Sequence, residues 1–382
     1  MITGISYMNL IYYKEIFLIF ICAWLMSAMI IPKISLVSFR RRLFDRIDAR
    51  KIHTARIPRL GGIAFFPCIS VTVSFVIVCH NLRYGFNILD LMSTTRLLTL
   101  FSSLFVLYLM GIMDDLIGVR YRSKFAIQIV CGTLMVTSGF FFNNLYGLFG
   151  IYEVPGWIGI PFTVFIIVYI LNAINLIDGI DGLASGLSMI AFLAFGSMCI
   201  YLHWWIYAFI AFASFGVLIP FFYYNVFGQE RRGRKIFMGD AGSLTIGMLL
   251  AILAIRLSIF DPIKESIFPK AIVIAFSFLM VPMLDVTRVV IHRLRCGKSP
   301  FLPDKNHIHH KFMALGLTQH QALISITGIA FFFAVLNIGL IHYLSTTMLF
   351  VVDMVIWTVM HICITVKINQ KLNPKKQVEQ QK

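Results

Sequence analysis

The sequence predicts an all-α, polytopic integral membrane protein that forms a single domain over residues 1–382. Apolar residues make up 59% of the chain, and the mean hydropathy is +0.85. Apolar runs long enough to cross a bilayer recur along its whole length, and no polar stretch is large enough for a separate soluble domain. Basic residues gather in every second loop, which is typical of multi-pass membrane proteins.

About eleven apolar runs each predict one transmembrane helix. The first run follows Lys14 and Glu15 and is expected to act as its own anchor rather than as a cleaved signal. The polar residues 373–382 after the last run predict a disordered cytoplasmic tail. In chain order, the runs span residues 16–31, 61–79, 97–112, 125–142, 157–171, 183–201, 204–226, 241–257, 271–290, 322–343 and 346–366.

The basic residues predict the orientation of these helices. Most of the 33 Lys and Arg residues fall in loops that eleven helices would place on one face, together with the tail: 40–59, 120–124, 231–235, 288–311 and 367–382. The positive-inside rule assigns this face to the cytoplasm, so the N-terminus is expected outside and the C-terminus inside. The net charge of +16 is therefore interpreted as a topology signal, and no nucleic-acid partner is expected.

Carboxylates are scarce in this chain, and many of them lie beside the ends of apolar runs. There are only 17 Asp and Glu residues, and a charge near hydrocarbon is costly unless it is paired or functional. Carboxylates are preferred ligands of Mg²⁺, which commonly acts on phosphates. Phosphate chemistry at the cytoplasmic membrane face is therefore predicted from the polar residues that gather there: Asp114, Asp115, Asn172, Asn175, Asp178, Asp181, Asp240 and Asp285.

The first acidic motif is the pair Asp114-Asp115 at the end of the third run. It could simply end a helix, although anions oppose the macrodipole there. Adjacent carboxylates also repel each other and need a cation, which Lys124 could supply.

Asp240 opens the eighth run, where it could be a helix N-cap or a metal ligand. Asp285 could form only a structural ion pair.

A second motif lies between the fifth and sixth runs. Asp178-Gly179 and Asp181-Gly182 could be ordinary turn dipeptides. If the stretch were helical, Asn172, Asn175, Asp178 and Asp181 would share one face at a spacing of three residues, which favours a functional site.

Histidines and cations form two further candidate sites. His307, His309 and His310 invite a zinc interpretation, but no cysteine is nearby, and contact with phosphate or sugar hydroxyls is the favoured interpretation. A second group, residues 50–53 with His53, precedes the second run. Its cations could hold a lipid phosphate or could only follow the topology rule.

Together these motifs resemble the polyprenyl-phosphate N-acetylhexosamine-1-phosphate transferase family. The resemblance covers residues 50–320 and includes Asp114-Asp115, NxxNxxDGxDG at 172–182, FMGDAGS at 237–243 and SPFxPDxxHIHH at 299–310. The last motif is similar to the branch that uses UDP-N-acetylglucosamine. The branch that uses UDP-N-acetylmuramoyl-pentapeptide typically has consecutive histidines there, whereas Ile308 interrupts them in this chain.

The resemblance implies transfer of N-acetylglucosamine-1-phosphate from UDP-N-acetylglucosamine to undecaprenyl or another polyprenyl phosphate, with release of UMP. This would be the first membrane step of a cell-surface polysaccharide in the bacterial cytoplasmic membrane. It implies Mg²⁺ as cofactor, with Mn²⁺ as an alternative ion, and leaves a homodimer open. The rivals are the pentapeptide-specific enzyme of peptidoglycan synthesis and a secondary transporter. A transporter is disfavoured because its coupling site usually lies at the bilayer midplane.

The resemblance also implies residue roles. The expected metal ligands are Asn175 and Asp240, and the expected catalytic residues are Asp114, Asp115, Lys124 and Asp178. Substrate contacts are implied for His53, Asn172, Gly179, Asp181, Asn225, Phe237, Arg293, His307, His309 and His310. The Asn225 assignment is the least direct, because a basic insert lengthens the segment that separates it from Asp240.

Overall fold

The computed structural model describes residues 2–41, 57–85, 88–89, 91–229, 233–262, 269–300 and 306–372. His53 and the tail at 373–382 lie outside the described residues. The helices are α1 Ile2–Arg40, α2 Phe65–Tyr84, α3 Leu91–Ile117, α4 Tyr121–Thr137, α5 Gly156–Ile177, α6 Leu183–Tyr201, α7 Trp205–Phe227, α8 Gly239–Ser258, α9 Ala271–Ser277, α10 Met280–Arg295, α11 Ile308–Ala314, α12 Gln319–Leu340 and α13 Thr346–Leu372.

The all-α polytopic membrane fold is confirmed. Within the described ranges, nine helices are long and apolar enough to cross a bilayer, and the pair α9 and α10 adds a tenth if it counts as one span. Eleven spans were expected. The remaining one corresponds to α4, whose 17 residues are at the lower limit of what crosses hydrocarbon.

Two local features were not expected from the sequence. The run at 271–290 is broken between α9 and α10, whose axes differ by 70°. A short antiparallel hairpin, β1 Asn144–Leu148 and β2 Ile151–Glu153, joins α4 to α5. Apolar periodicity cannot reveal either feature, because both lie within or beside apolar sequence.

Helix α8 forms the centre of the bundle. It packs against α3 and α5, and almost every side chain from Ala241 to Ser258 is buried. Two small-residue contacts fix its first turn. Gly62, in the 3₁₀ turn Gly61–Ala64, lies against Gly242, and Gly111 of α3 lies against Ala241. Small residues let helix backbones approach closely in a membrane, so the start of α8 is held against α3 and the turn before α2.

Candidate functional site

One lysine connects three helix ends that are distant in sequence. Lys124 Nζ, in the first turn of α4, lies 2.5 Å from Asp114 Oδ2 near the end of α3. The same atom lies 2.5 Å from Asp240 Oδ2 in the first turn of α8. The three side chains are only 14–24% exposed. Two carboxylates thus share one ammonium group, which supplies the cation expected for Asp114.

Asn175 joins this group from the last turn of α5. Its Nδ2 donates to Asp240 Oδ1 at 3.1 Å and to Ser243 Oγ at 2.8 Å. We call Asp114, Lys124, Asn175 and Asp240 the acidic cluster. Asn172, one turn earlier, donates instead to Gln128 Oε1 and to the Val168 carbonyl. Of the two asparagines, only Asn175 therefore contacts the acidic cluster.

Asp115 has a different environment from its neighbour Asp114. Its two oxygens accept the backbone N–H groups of Asp240 at 2.8 Å and Ala241 at 3.0 Å. These are free N–H groups of the first turn of α8, so Asp115 caps that helix from another segment. Gly239 permits the close approach: its φ is +72°, and a Cβ there would lie 2.6 Å from Asp115 Oδ2. Asp115 therefore positions Asp240.

We expect Asp115→Ala to lower the free energy of unfolding by about 1–2 kcal/mol, the usual cost of a lost N-cap. Turnover should fall as well, because the first turn of α8 carries Asp240. Thr318→Ala is the matched control, since Thr318 caps α12 through a capping box with Gln321. Thermal unfolding and rate assays on both variants test this. Equal losses of rate would contradict the positioning role of Asp115.

The turn between α5 and α6 is not helical, so the single face expected for four polar residues does not form. Helix α5 ends at Ile177, and Asp178 and Asp181 lie in the turn that follows. Lys235 Nζ lies 2.7 Å from Asp181 Oδ2. Burial, together with the neighbouring negative charge of Asp181, raises the pKa of Asp178 to about 7.

Asn225 of α7 fastens this turn to the segment before α8. Its Oδ1 accepts the Gly182 N–H at 2.6 Å, and its Nδ2 donates to the Ile236 carbonyl at 2.9 Å. In the next residue, the Phe237 N–H donates to Pro58 O and its carbonyl accepts from the Gly61 N–H. These bonds hold the backbone of Phe237, which lies two residues before Gly239. Backbone groups occupy the side-chain amide of Asn225.

Asp285 organises the histidine segment. This fully buried carboxylate accepts from His307 Nδ1 at 2.8 Å, from the Ile308 N–H at 3.0 Å and from the Arg288 guanidinium at 2.7 Å. Asp285 thus does more than form the ion pair with Arg288 suggested by the sequence. It also fixes the orientation of the His307 ring and caps the start of α11. Arg293, also buried, donates to the Pro300 carbonyl at 2.5 Å.

His309 connects the histidine segment to the turn after α5. Its ring covers Gly179 so closely that a Cβ there would lie 2.2 Å from Cε1 and Nε2. The His310 ring is also close to it, with ring centroids 4.2 Å apart. Burial, and then the nearby His310 and His307, lowers the pKa of His309 to about 3. The ring is therefore neutral at physiological pH.

This lowered pKa predicts a pH dependence of stability. Between pH 6.5, the ordinary value, and pH 3, unfolding lets the His309 ring take up a proton that the folded protein excludes. The free energy of unfolding should therefore decrease as the pH is lowered through this window. Above pH 6.5, His309 should not affect it. We expect His309→Gln to flatten the slope of the melting temperature between pH 7.5 and pH 5. His320→Gln, at an exposed ring, should leave it unchanged. An unchanged slope in His309→Gln would contradict this.

Comparison with known proteins identifies the family. Residues 97–258 match the model of glycosyl transferase family 4. A Pasteurella multocida protein named undecaprenyl-phosphate alpha-N-acetylglucosaminyl 1-phosphate transferase is 36% identical over 81% of this chain and 82% of its own length. Proteins of the same name from Haemophilus influenzae and Escherichia coli K12 are 33% and 30% identical, over 81% and 75% of this chain and 82% and 73% of theirs. The chain belongs to glycosyl transferase family 4.

The segment that matches this glycosyl transferase family runs from α3 to the end of α8. It therefore contains the whole acidic cluster, Asp115, the turn after α5 and Phe237. The histidine segment and Asp285 lie beyond it, although the similarity to the relatives extends over most of the chain.

The acidic cluster has some of the features of a metal site. Among the described residues, no group of three His, Cys, Asp or Glu side chains is arranged to hold a metal ion. Mg²⁺, however, commonly binds one or two carboxylates and takes its other ligands from water and substrate phosphates. Asp114 and Asp240 already converge on one cation, Lys124, and a single positive charge cannot neutralise both. This donor set fits Mg²⁺ together with a diphosphate.

Sequence reasoning missed two side chains that accept hydrogen bonds from the asparagines of α5. Ser243 accepts from Asn175 of the acidic cluster, and Gln128 accepts from Asn172, which lies outside the cluster. The spacing of three residues from Asp240 to Ser243 at a helix start could have indicated Ser243, since both lie on one helical face. Gln128 lies one turn beyond Lys124 on α4, and the same spacing argument could have indicated it.

Proposed function

We propose that the protein transfers N-acetylglucosamine-1-phosphate from UDP-N-acetylglucosamine to undecaprenyl phosphate and releases UMP. The contact of Lys124 with both Asp114 and Asp240 carries this proposal. A diphosphate requires a positive group and a divalent ion requires negative groups, and this contact brings both together. The names of the relatives support the same donor and acceptor. They do not favour the pentapeptide donor.

In the proposed reaction, an oxygen of the lipid phosphate attacks the sugar-bearing phosphorus of the UDP-sugar. A new P–O bond forms there, and the bond to the bridging oxygen breaks and leaves its electron pair on UMP. The attacking phosphate is already ionised at neutral pH, so positioning and charge stabilisation matter more than a general base. Mg²⁺, held by Asp240 and Asn175 as the sequence predicts and also by Asp114, would neutralise the diphosphate charge.

The chain's own residues supply the remaining roles in this proposal. Lys124 offsets repulsion between the two phosphates as they meet. Phe237 and the turn with Asp178 and Gly179 form the nucleotide side, and Asp181 is held there by Lys235. His307, His309 and His310, with Arg293, face the sugar phosphate. Asp115 and Asn225 position other residues and do not contact the substrate, since backbone groups occupy their polar atoms.

The orientation in the membrane is part of the proposal. The acidic cluster lies at the ends of α3 and α5 and the start of α8, next to the basic segments at 120–124 and 233–235. The positive-inside rule supports a cytoplasmic location for this end. UDP-sugars are cytoplasmic and water-soluble, whereas the polyprenyl tail stays in hydrocarbon. A site at this membrane face lets both reach the same residues.

The proposal is tested by UMP release from purified full-length protein. We expect release with UDP-N-acetylglucosamine, undecaprenyl phosphate and Mg²⁺, and none after chelation of the metal. Replacing the donor by UDP-N-acetylmuramoyl-pentapeptide should abolish release. Release only with that donor would establish the pentapeptide alternative. No release with any donor would overturn the proposed transferase reaction.

A further inference from the structure

A separate cavity, lined by both charged and apolar residues, lies at the opposite end of the bundle from the acidic cluster. Helix α2 begins beside α8 at the cluster and runs 20 residues, about 30 Å, to Tyr84 at the other end. Near that end, α1 and α2 enclose a cavity of about 180 Å³. Its lining includes Lys14, Glu15, Leu18, Val76, His80 and Arg83. The volume equals that of about six water molecules.

Glu15 presents an incompletely bonded carboxylate to this cavity. The residue is only 9% exposed, and its Oε1 lies 2.7 Å from His80 Nδ1. Its Oε2 is buried and has no hydrogen-bond partner within the part of the chain that the structure describes. Leaving such an oxygen unbonded costs about 1–3 kcal/mol or more. A ligand that donates a hydrogen bond to Oε2 would therefore bind favourably.

Two cations line the same cavity, and their position relative to the membrane is defined by aromatic residues. Lys14 and Arg83 are both exposed and stand at the ends of the apolar parts of α1 and α2. Tyr12 stacks on Trp205 at 4.5 Å, one turn or less from Glu15. Tyr and Trp concentrate at the level of lipid headgroups. The cavity therefore lies at headgroup depth, with Leu18 exposed on its hydrocarbon side.

We propose that this cavity binds a phospholipid whose headgroup carries both a phosphate and a primary ammonium. The phosphate contacts Lys14 and Arg83, and the ammonium donates a hydrogen bond to Glu15 Oε2. One acyl chain follows Leu18 and Val76. A choline headgroup lacks the N–H donor, and a glycerol headgroup lacks the positive charge. The cavity should therefore distinguish lipids that differ only in this group.

The test uses delipidated full-length protein in detergent and three lipids with identical acyl chains: phosphatidylethanolamine, phosphatidylcholine and phosphatidylglycerol. Each lipid is titrated while the melting temperature is measured, because a ligand that binds only the folded state raises it. We expect phosphatidylethanolamine to raise it most. Glu15→Gln should remove this preference. Glu153→Gln, at an exposed carboxylate in β2 at the same end of the bundle, should retain it.

Equal responses to all three lipids would overturn the proposal, as would a larger response to phosphatidylglycerol or an unchanged preference in Glu15→Gln. If Glu15→Gln does not fold, because His80 then loses its charged partner, Lys14→Gln provides the second test. It should weaken the response to every phospholipid while phosphatidylethanolamine remains the strongest. A wild-type response to all three lipids in Lys14→Gln would also overturn the proposal. UMP release does not enter this test, so its outcome is independent of the proposed reaction.

Discussion

Asp240→Asn is expected to reduce UMP release by about 10³-fold, the scale seen when one preorganised electrostatic group is removed from an active site. The substitution keeps the shape of the side chain but removes its charge. Lys124 would then retain only Asp114 as a carboxylate partner, and Asn175 would face an amide instead of a carboxylate. Initial rates measured over a range of Mg²⁺ concentrations test this, and the Mg²⁺ requirement should rise.

Asp261→Asn is the matched control for that variant. Asp261 lies just beyond the other end of α8, so both substitutions neutralise an aspartate at an end of the same helix. We expect Asp261→Asn to retain the rate and the Mg²⁺ requirement of the unmodified protein. If Asp240→Asn kept more than about a tenth of the rate at saturating Mg²⁺, the charge of Asp240 would not serve the reaction in the way proposed.

The sequence predicted which residues meet at the acidic cluster more completely than how they meet. Asp114, Lys124, Asn175 and Asp240 were each expected in one site, and the structure brings them into contact. Their types and positions at the ends of apolar runs carry that information, since helices that cross the same bilayer end on a common face. The sequence could not divide the roles of Asp114 and Asp115, because Asp115 is bonded to backbone groups 125 residues away.

For the fold as well, the sequence pattern predicted the helices better than it predicted how they bend and pack. Apolar runs located the spans well, because only helices satisfy backbone groups in hydrocarbon without a closed barrel. The break between α9 and α10 was missed, since both halves are apolar. For residues 172–181 the sequence left open a turn or a helix with one polar face, and the turn is correct because the chain turns at Asp178. Glycines at 179 and 182 favoured that turn, but the spacing of three favoured a helix, and local sequence could not decide between them.

Lys124→Gln is expected to have the second large effect. It should lower the rate of UMP release but raise the affinity for a divalent ion. In the folded protein, one ammonium group faces the carboxylates of Asp114 and Asp240. Without it, two negative charges share a partly buried space, and they repel each other more strongly than they would in water. UMP release should fall by about 10²-fold or more, because the cation that meets the substrate phosphates is lost. The paired carboxylates should, however, attract a divalent ion more strongly.

The stability of Lys124→Gln should therefore depend on Mg²⁺ even without substrate. We expect Mg²⁺ to raise its melting temperature more than that of the unmodified protein, since an ion that binds only the folded state stabilises it in proportion to RT ln(1 + [Mg²⁺]/Kd). Lys235→Gln is the matched control, because Lys235 forms an ion pair with Asp181, at 2.7 Å from Nζ to Oδ2, outside the acidic cluster. It should show no added Mg²⁺ response. Equal Mg²⁺ responses in both variants would mean that Asp114 and Asp240 do not form an ion site, whatever happens to the rate.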